Sequence, residues 1–99
     1  MGILSSQKKS EKSCRCLSAL TNPLRMAIVL SLKDGDLSVN EIVSKVEGSQ
    51  SSVSQSLGIM KDRGILKARR EGNTIYYSLA NPKIIKLIEL IEELFCSNN

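Results

Sequence analysis

Short polar side chains that could contact a nucleic acid are concentrated in residues 48–57 of this 99-residue chain, which read GSQSSVSQSL. Ser49 can begin a helix there, because its hydroxyl group can accept a backbone N–H that the first turn leaves unpaired. Val53, Leu57 and Met60 recur at helical spacing and would hold the opposite face against a core. Because backbone N–H groups point outward at a helix N-terminus, polar side chains there suit phosphate groups and base edges. The stretch therefore predicts a DNA-reading helix, and a merely solvated surface helix is the alternative.

The chain has three cysteines, Cys14, Cys16 and Cys96, and no histidine. Without histidine it lacks the usual general base and any imidazole ligand for a metal ion. It also has no paired carboxylates in an apolar setting and no glycine-rich phosphate loop. An odd cysteine count without the spacing of small secreted domains argues against a disulfide framework. We therefore expect a protein that is not an enzyme and that uses no cofactor.

Composition limits the chain to one small domain with an aliphatic core, since 41% of its residues are hydrophobic but only 3% are aromatic. The net charge of +4 and the pI near 9.1 are compatible with a nucleic-acid partner but do not demand one. No run approaches the roughly 18 apolar residues of a membrane span. The polar start, residues 1–12, lacks the apolar core of a signal peptide. We expect a cytoplasmic protein that does not enter membranes.

Helix-start signals organise the first half of the chain. Residues 1–10 are polar and rich in serine and lysine, which predicts a flexible N-terminal arm, and a first helix is predicted over residues 11–20. An Asn-Pro pair at 22–23 starts a second, mostly buried helix that runs to about residue 33. Ser38 and Glu41 have the spacing of a capping box and open a short third helix.

After Gly64, which ends the fourth helix, the apolar period changes from helix-like to strand-like. Alternating side chains in Thr74–Leu79 predict one strand, Leu66–Glu71 forms the other, and Gly72-Asn73 makes a hairpin turn. Five basic residues against two acidic ones fall within residues 61–71, so most of the net charge lies here. A charged edge that protects the hairpin from unwanted pairing is the alternative to a DNA-contacting hairpin.

The last helix is predicted to start at Asn81-Pro82 and to run to about Cys96. Eight of the twelve residues 84–95 are apolar, which is more than one buried face of a helix requires. The excess predicts a partner helix, most simply the same helix of a second subunit. An unusually buried helix within a single chain is the alternative.

The order of these elements is that of a winged helix-turn-helix domain, and short motifs narrow the resemblance. The motifs are LTNPLR at 20–25, SQSSVSQSL at 49–57, GIL at 64–66, RREGN at 69–73 and YYSL at 76–79. Over residues 17–96 they resemble the successive signatures of the ArsR/SmtB family of dimeric bacterial repressors. The resemblance implies a mainly α winged helix-turn-helix fold over residues 11–96. It has five helices, a small β-hairpin as a two-stranded wing, and terminal helices that form the dimer interface.

The resemblance also implies how DNA is bound: the fourth helix enters the major groove, and the wing lies along the minor groove or the backbone. An inducer, either a ligand or an oxidant, then releases the DNA. The residues expected to contact double-stranded DNA are Ser49, Gln50, Ser51, Ser52, Ser54, Gln55, Lys61, Arg69, Arg70, Asn73 and Thr74. A winged helix that binds another protein and no DNA is the alternative from a different functional class.

Two departures from the family concern its sensing sites. The family's thiolate metal box would fall on residues 37–41, which contain no cysteine, and its zinc site on the last helix needs histidine. The motifs at 49–57 and 94–96 most resemble the branch of thiol-based persulfide and redox sensors, the BigR and HlyU group. That branch pairs a cysteine in the second helix with one at the end of the last helix. Cys96 matches the latter, but Leu30 occupies the former position, which leaves Cys14 or Cys16 as the substitute.

Three interpretations of the cysteines therefore stay open. In the first, Cys96 and either Cys14 or Cys16 form a disulfide or polysulfide bridge when reactive sulfur rises, and Lys12 and Arg15 favour the thiolate. In the second, the three thiols bind a soft ion such as arsenite or cadmium. Since neighbours two apart on a helix point about 200° apart, Cys14 and Cys16 could share one ion only in an extended segment. In the third, the cysteines are incidental small apolar residues.

Overall fold

The computed structural model describes the backbone of residues 2–96 and the side chains of residues 7–95. Five α-helices and three strands follow one another along the chain, and the last helix continues into a π-helical turn, Glu92–Cys96. The elements are α1 Gly2–Ser18, α2 Pro23–Ser31, β1 Leu37–Ser38, α3 Val39–Lys45, α4 Gln50–Asp62, β2 Leu66–Glu71, β3 Thr74–Leu79 and α5 Lys83–Ile91.

Side-chain caps set the starts of α2, α3 and α4, as the sequence predicted. Asn22 accepts hydrogen bonds from the backbone N–H groups of Leu24 and Arg25 at 2.9 and 3.2 Å. Ser38 and Glu41 form the predicted capping box: the Ser38 hydroxyl accepts the Glu41 N–H, and the Glu41 carboxylate accepts the Ser38 N–H. Each cap satisfies backbone donors that a helix start otherwise leaves unpaired.

The core is aliphatic, as the composition predicted, and lies between α2, α3, α4 and α5. Each of these four helices contributes one face to the core. The fully or nearly fully buried apolar residues of these helices are Ile28, Val29, Ile42, Val53, Leu57, Met60, Ile85 and Ile88.

The sheet has three strands in the order β1-β3-β2, so the prediction of a two-stranded wing was incomplete. The added strand, β1, pairs antiparallel with β3 through Leu37 opposite Tyr77 and Ser38 opposite Tyr76. Two residues show no alternation in sequence, and Ser38 was already assigned as the cap of α3. The backbone of Ser38 is extended, with φ −77° and ψ 167°, which suits both a strand and a helix cap. The same residue therefore pairs with the wing and starts α3.

Several helix ends differ from the predicted ones, including the end of the first helix, at Ser18 and not at residue 20, and the start of the last, at Lys83. The first helix begins at Gly2, so residues 2–10 are helical in the structure, whereas the arm 1–10 was predicted to lie outside it. Glutamine and lysine at residues 7–9 are good helix formers, which is consistent with the extension. Every described side chain from Gln7 to Ser18 is exposed, so the helix lacks a buried face here. That the arm is flexible stays a prediction. The second helix ends at Ser31, before the predicted residue 33.

Gly58 and Gly64 provide a matched test of what backbone conformation contributes to stability. A Cβ atom at either position would meet no atom within 4 Å, but Gly64 has φ +78° whereas Gly58 lies inside α4. We expect Gly58→Ala to raise the free energy of unfolding by about 0.5–1 kcal/mol, because alanine forms helices better. We expect Gly64→Ala to lower it by about 1–2 kcal/mol, because a left-handed conformation strains any Cβ.

Urea unfolding of both variants at one protein concentration measures these changes. Since neither site offers a packing contact, shifts of the same sign in the two variants would contradict the conformational explanation.

Candidate nucleic-acid interface

The exposed face of α4 is polar and uncharged along its first two turns. Gln50, Ser51, Ser54 and Gln55 are exposed, whereas Val53, Leu57 and Met60 on the other face have no exposed surface. Because this apolar stripe is fixed in the core, α4 cannot rotate about its axis without exposing it. The polar face is thereby held outward, as the sequence predicted.

Ser49 and Ser52 are already hydrogen-bonded within the protein. The Ser49 hydroxyl accepts the Ser52 N–H at 3.1 Å and donates to the Ser52 hydroxyl at 3.0 Å. These bonds confirm Ser49 as the cap of α4. Any contact that either serine makes with a ligand therefore adds to a structural role.

An open cleft of about 480 Å³ lies between the tip of the wing and the starts of α3 and α4. It brings together three residues that were selected from different parts of the sequence, Gln50 on α4 and Asn73 and Thr74 on the hairpin. The cleft adds residues that were not predicted, because the β1–β3 pairing that places α3 beside the wing was not foreseen. These are Ser38, Val39, Asn40, Glu41, Ile75 and Tyr76.

Lys61 lies at the other end of α4. It lies eleven positions after Gln50, which at 1.5 Å per residue is about 16 Å along the helix axis. Its side chain is exposed. Lys61 is therefore not part of the cleft, and any contact it makes would be made separately.

The two neighbouring arginines of β2 have different surroundings. Arg69 forms ion pairs with Asp36 at 2.6 Å and Glu71 at 3.2 Å, and its guanidinium lies 5.1 Å from the centre of the Tyr76 ring. The hydrogen bond with Asp36 raises the pKa of Arg69 above its ordinary value. Arg70 instead donates from Nε to the carbonyl oxygen of Gly72 at 3.3 Å. Successive residues of a strand point to opposite faces, so the two guanidinium groups leave the wing on different sides.

Cys14 and Cys16 are free and exposed on α1. Because the segment is helical, their side chains point apart, so the extended arrangement needed for a shared ion is not present. Cys16 lines a cavity of about 300 Å³ together with Lys12, Arg15, Asp62 and Arg63. The side chain of Cys96 lies outside the described residues.

Within the described part of the chain, no group of three or more histidine, cysteine, aspartate or glutamate side chains is placed to hold a metal ion. Among the described residues there is also no helix with the length and apolar composition needed to cross a membrane.

A second exposed surface is apolar and lies on the terminal helices. Leu87, Leu90 and Leu94 recur at helical spacing along α5 and its π-helical turn, and they are 40%, 49% and 65% exposed. Leu17 on α1 is 43% exposed and borders the same cavity as Leu87. The apolar face of α5 is therefore wider than the part that the core covers.

Helices α3 and α4, with a hairpin beside them, define a winged helix-turn-helix protein. Residues 22–68 match the family described as "Bacterial regulatory protein, arsR family". The transcriptional activator HlyU of Vibrio cholerae is 35% identical over 99 residues, which cover all of this chain and 92% of that protein. The chain belongs to the ArsR family, and so to a group of transcriptional regulators and not of enzymes.

Solved structures agree with this assignment. Reduced HlyU from Vibrio cholerae superimposes with a TM-score of 0.79 at 35% identity, over 94% of this chain and 98% of that one. The transcriptional repressor BigR from Xylella fastidiosa gives 0.81 at 28% identity, over 99% and 100%. The homodimeric winged helix-turn-helix DNA-binding domain of Mb0332 from Mycobacterium bovis gives 0.80 at 25%, over 95% and 92%. The predicted resemblance to the family, and to the BigR and HlyU branch, is confirmed.

Proposed function

We propose that this regulator binds double-stranded DNA as a homodimer and represses transcription until cysteine chemistry releases it. One observation supports DNA binding above the others: the outward polar face of α4 begins at the cleft beside the wing, where Gln50 lies. A helix and a hairpin so arranged can contact a major groove and the adjoining backbone together. A cytoplasmic location, where operator DNA would lie, is part of this proposal and is supported by membership of a family of bacterial regulatory proteins.

The proposed contacts divide by chemistry. Gln50 and Gln55 have amide groups that suit the donor and acceptor pattern of adenine in the major groove. The hydroxyl groups of α4 and the hairpin suit phosphate oxygens, and the basic side chains add electrostatic attraction. The phosphate-contacting candidates are Ser49, Ser51, Ser52, Ser54, Lys61, Arg69, Arg70, Asn73 and Thr74.

We expect Gln55→Ala to reduce sequence preference without loss of the fold. Its side chain is exposed, so truncation leaves the core intact, while one base contact worth about 1–3 kcal/mol disappears. Fluorescence anisotropy on DNA from upstream of the protein's own gene, and on a shuffled duplex, gives the ratio of specific to non-specific affinity. The ratio should fall about tenfold.

Gln7→Ala is the matched control, since Gln7 is an exposed glutamine on α1. An unchanged ratio for Gln55→Ala would contradict the assignment of α4 as the reading helix. A wild-type protein that shows no salt-dependent DNA affinity would favour the protein-interaction module instead, because phosphate contacts make binding steeply salt-dependent.

The homodimer is supported by the exposed leucines of α5 and by the homodimeric state stated for Mb0332. Apolar surface of this kind is stabilised when a second copy covers it. A two-fold dimer would also place two α4 helices for half-sites about 34 Å apart on one side of the duplex.

We expect Leu90→Glu to separate the subunits, because it places a charge in the middle of the apolar surface of α5. Sedimentation velocity at micromolar concentration should change from a dimer to a monomer. Glu89→Lys is the control, since Glu89 is exposed on the same helix and lies about 100° around the helix axis from Leu90. A monomeric wild-type protein, or a dimeric Leu90→Glu variant, would contradict the proposed interface.

Release by reactive sulfur is the proposed inducer chemistry. Cys16 is exposed and lines a cavity with Lys12, Arg15, Asp62 and Arg63, so a reagent in solution can reach its thiol. One relative has been solved in a form described as reduced HlyU. Two thiolates would be oxidised to a disulfide or polysulfide bridge while the added polysulfide is reduced. A soft metal or metalloid such as arsenite or cadmium is the second candidate inducer.

We expect polysulfide to release the wild-type protein from its DNA, and dithiothreitol to restore binding. Cys96→Ser should abolish release, because one half of the bridge is missing, and so should one of Cys14→Ser and Cys16→Ser. The other of these two serves as the matched control. Release by arsenite or cadmium alone would support the soft-ion candidate, and no release by any reagent would make the three cysteines incidental.

A further inference from the structure

Arg69 crosses the whole sheet. It starts on β2, passes over the Tyr76 ring of β3 at 5.1 Å, and reaches Asp36, the residue before β1, at 2.6 Å. Glu71 on β2 contacts the same guanidinium group at 3.2 Å. One side chain thus connects the far strand of the wing with the chain segment that leads into α3.

This connection matters for the outer part of the hairpin, because only its base is anchored in the core, through Leu66, Tyr77 and Leu79. The wing pairs with the rest of the domain through β1, which contributes only Leu37 and Ser38 to the ladder. Ser38 is also the cap of α3, so β1 sets how the hairpin sits relative to the helix-turn-helix unit. A two-residue ladder offers few hydrogen bonds, and an ion pair across it limits its opening.

We propose that Asp36 and Arg69 form a positioning pair that holds the wing against the helix-turn-helix unit, and that Arg70 is the wing arginine that contacts phosphate. The proposal rests on the proposed DNA binding. Of the two adjacent arginines named above as phosphate-contacting candidates, it keeps Arg70 and gives Arg69 a positioning role instead. Within the described residues, Arg70 has no acidic partner within 4 Å, whereas Arg69 has two.

A purely electrostatic effect and a loss of positioning predict opposite changes in DNA affinity when Asp36 is removed. Removing a negative charge near a DNA-binding face should strengthen DNA binding if charge alone matters. Removing the partner that holds Arg69 should weaken DNA binding if the wing must be held in place to contact DNA. Asp34 is the matched control, because it is an exposed aspartate in the same turn and has no ion pair among the described side chains.

The experiment measures DNA affinity against salt concentration for Asp36→Ala, Asp34→Ala, Arg69→Ala, Arg70→Ala and the Asp36→Ala/Arg69→Ala double variant. We expect Asp36→Ala and Arg69→Ala each to weaken binding about threefold, the order expected for an exposed ion pair, with the double variant no weaker than either. Asp34→Ala should bind as tightly as the wild type or slightly more tightly. The plot of log K against log salt has a negative slope. Only Arg70→Ala should make that slope less steep, by about 0.9, the value for one phosphate contact.

Binding by Asp36→Ala that equals binding by Asp34→Ala would overturn the proposal, and so would a slope for Arg69→Ala that falls as it does for Arg70→Ala. Amide hydrogen exchange without DNA provides an independent measurement: the Tyr76 and Tyr77 amides should exchange faster in Asp36→Ala than in Asp34→Ala. Equal exchange would overturn the positioning role even if DNA binding itself failed. Failure of the proposed function would instead appear as a wild-type protein that binds no DNA.

Discussion

Burial of Val53, Leu57 and Met60 is the interaction on which the rest of the structure depends. The serine-rich sequence of α4 has low intrinsic helix propensity, because serine hydroxyls compete for the backbone. The helix is therefore stabilised by its Ser49 cap and by packing against residues such as Ile28 and Ile42. That packing sets the rotation of α4, and the rotation decides which polar groups face outward. Because packing and the cap hold the helix, its exposed positions can carry residues that suit contacts with a partner even where, as with serine, they do not favour a helix.

The wing depends on the same unit through a short path. The turn after α2 leads into Asp36, then β1, and then the Ser38 cap of α3, so a few consecutive residues define both the helix start and the sheet edge. Because Ser38 is held by its capping box and by Tyr76, movement of the wing disturbs the start of α3. Within the recognition surface, α3, α4 and the hairpin are therefore held in place by some of the same residues.

Local signals predicted the helices well and the contacts between them poorly. Asn22, Ser38, Ser49 and Gly64 act within a few residues, so the sequence alone located the helix ends that depend on them. Counting outward from the Gly72-Asn73 turn would also have paired Arg69 with Tyr76, as the register does. The Asp36 contact had no such signal, because it joins residues 33 positions apart. The β1 strand was missed for a related reason, since two residues are too short to show a period.

In the proposed complex, the exposed face of α4 and the tip of the wing contact DNA together. The most direct test is a map of backbone amide NMR shifts in labelled protein as duplex DNA from upstream of its gene is added. The largest changes should fall in residues 49–55 and 70–74, with small changes in α5. Changes confined to α1 and α5, or an unchanged spectrum at saturating DNA, would contradict a DNA contact by α4 and the wing.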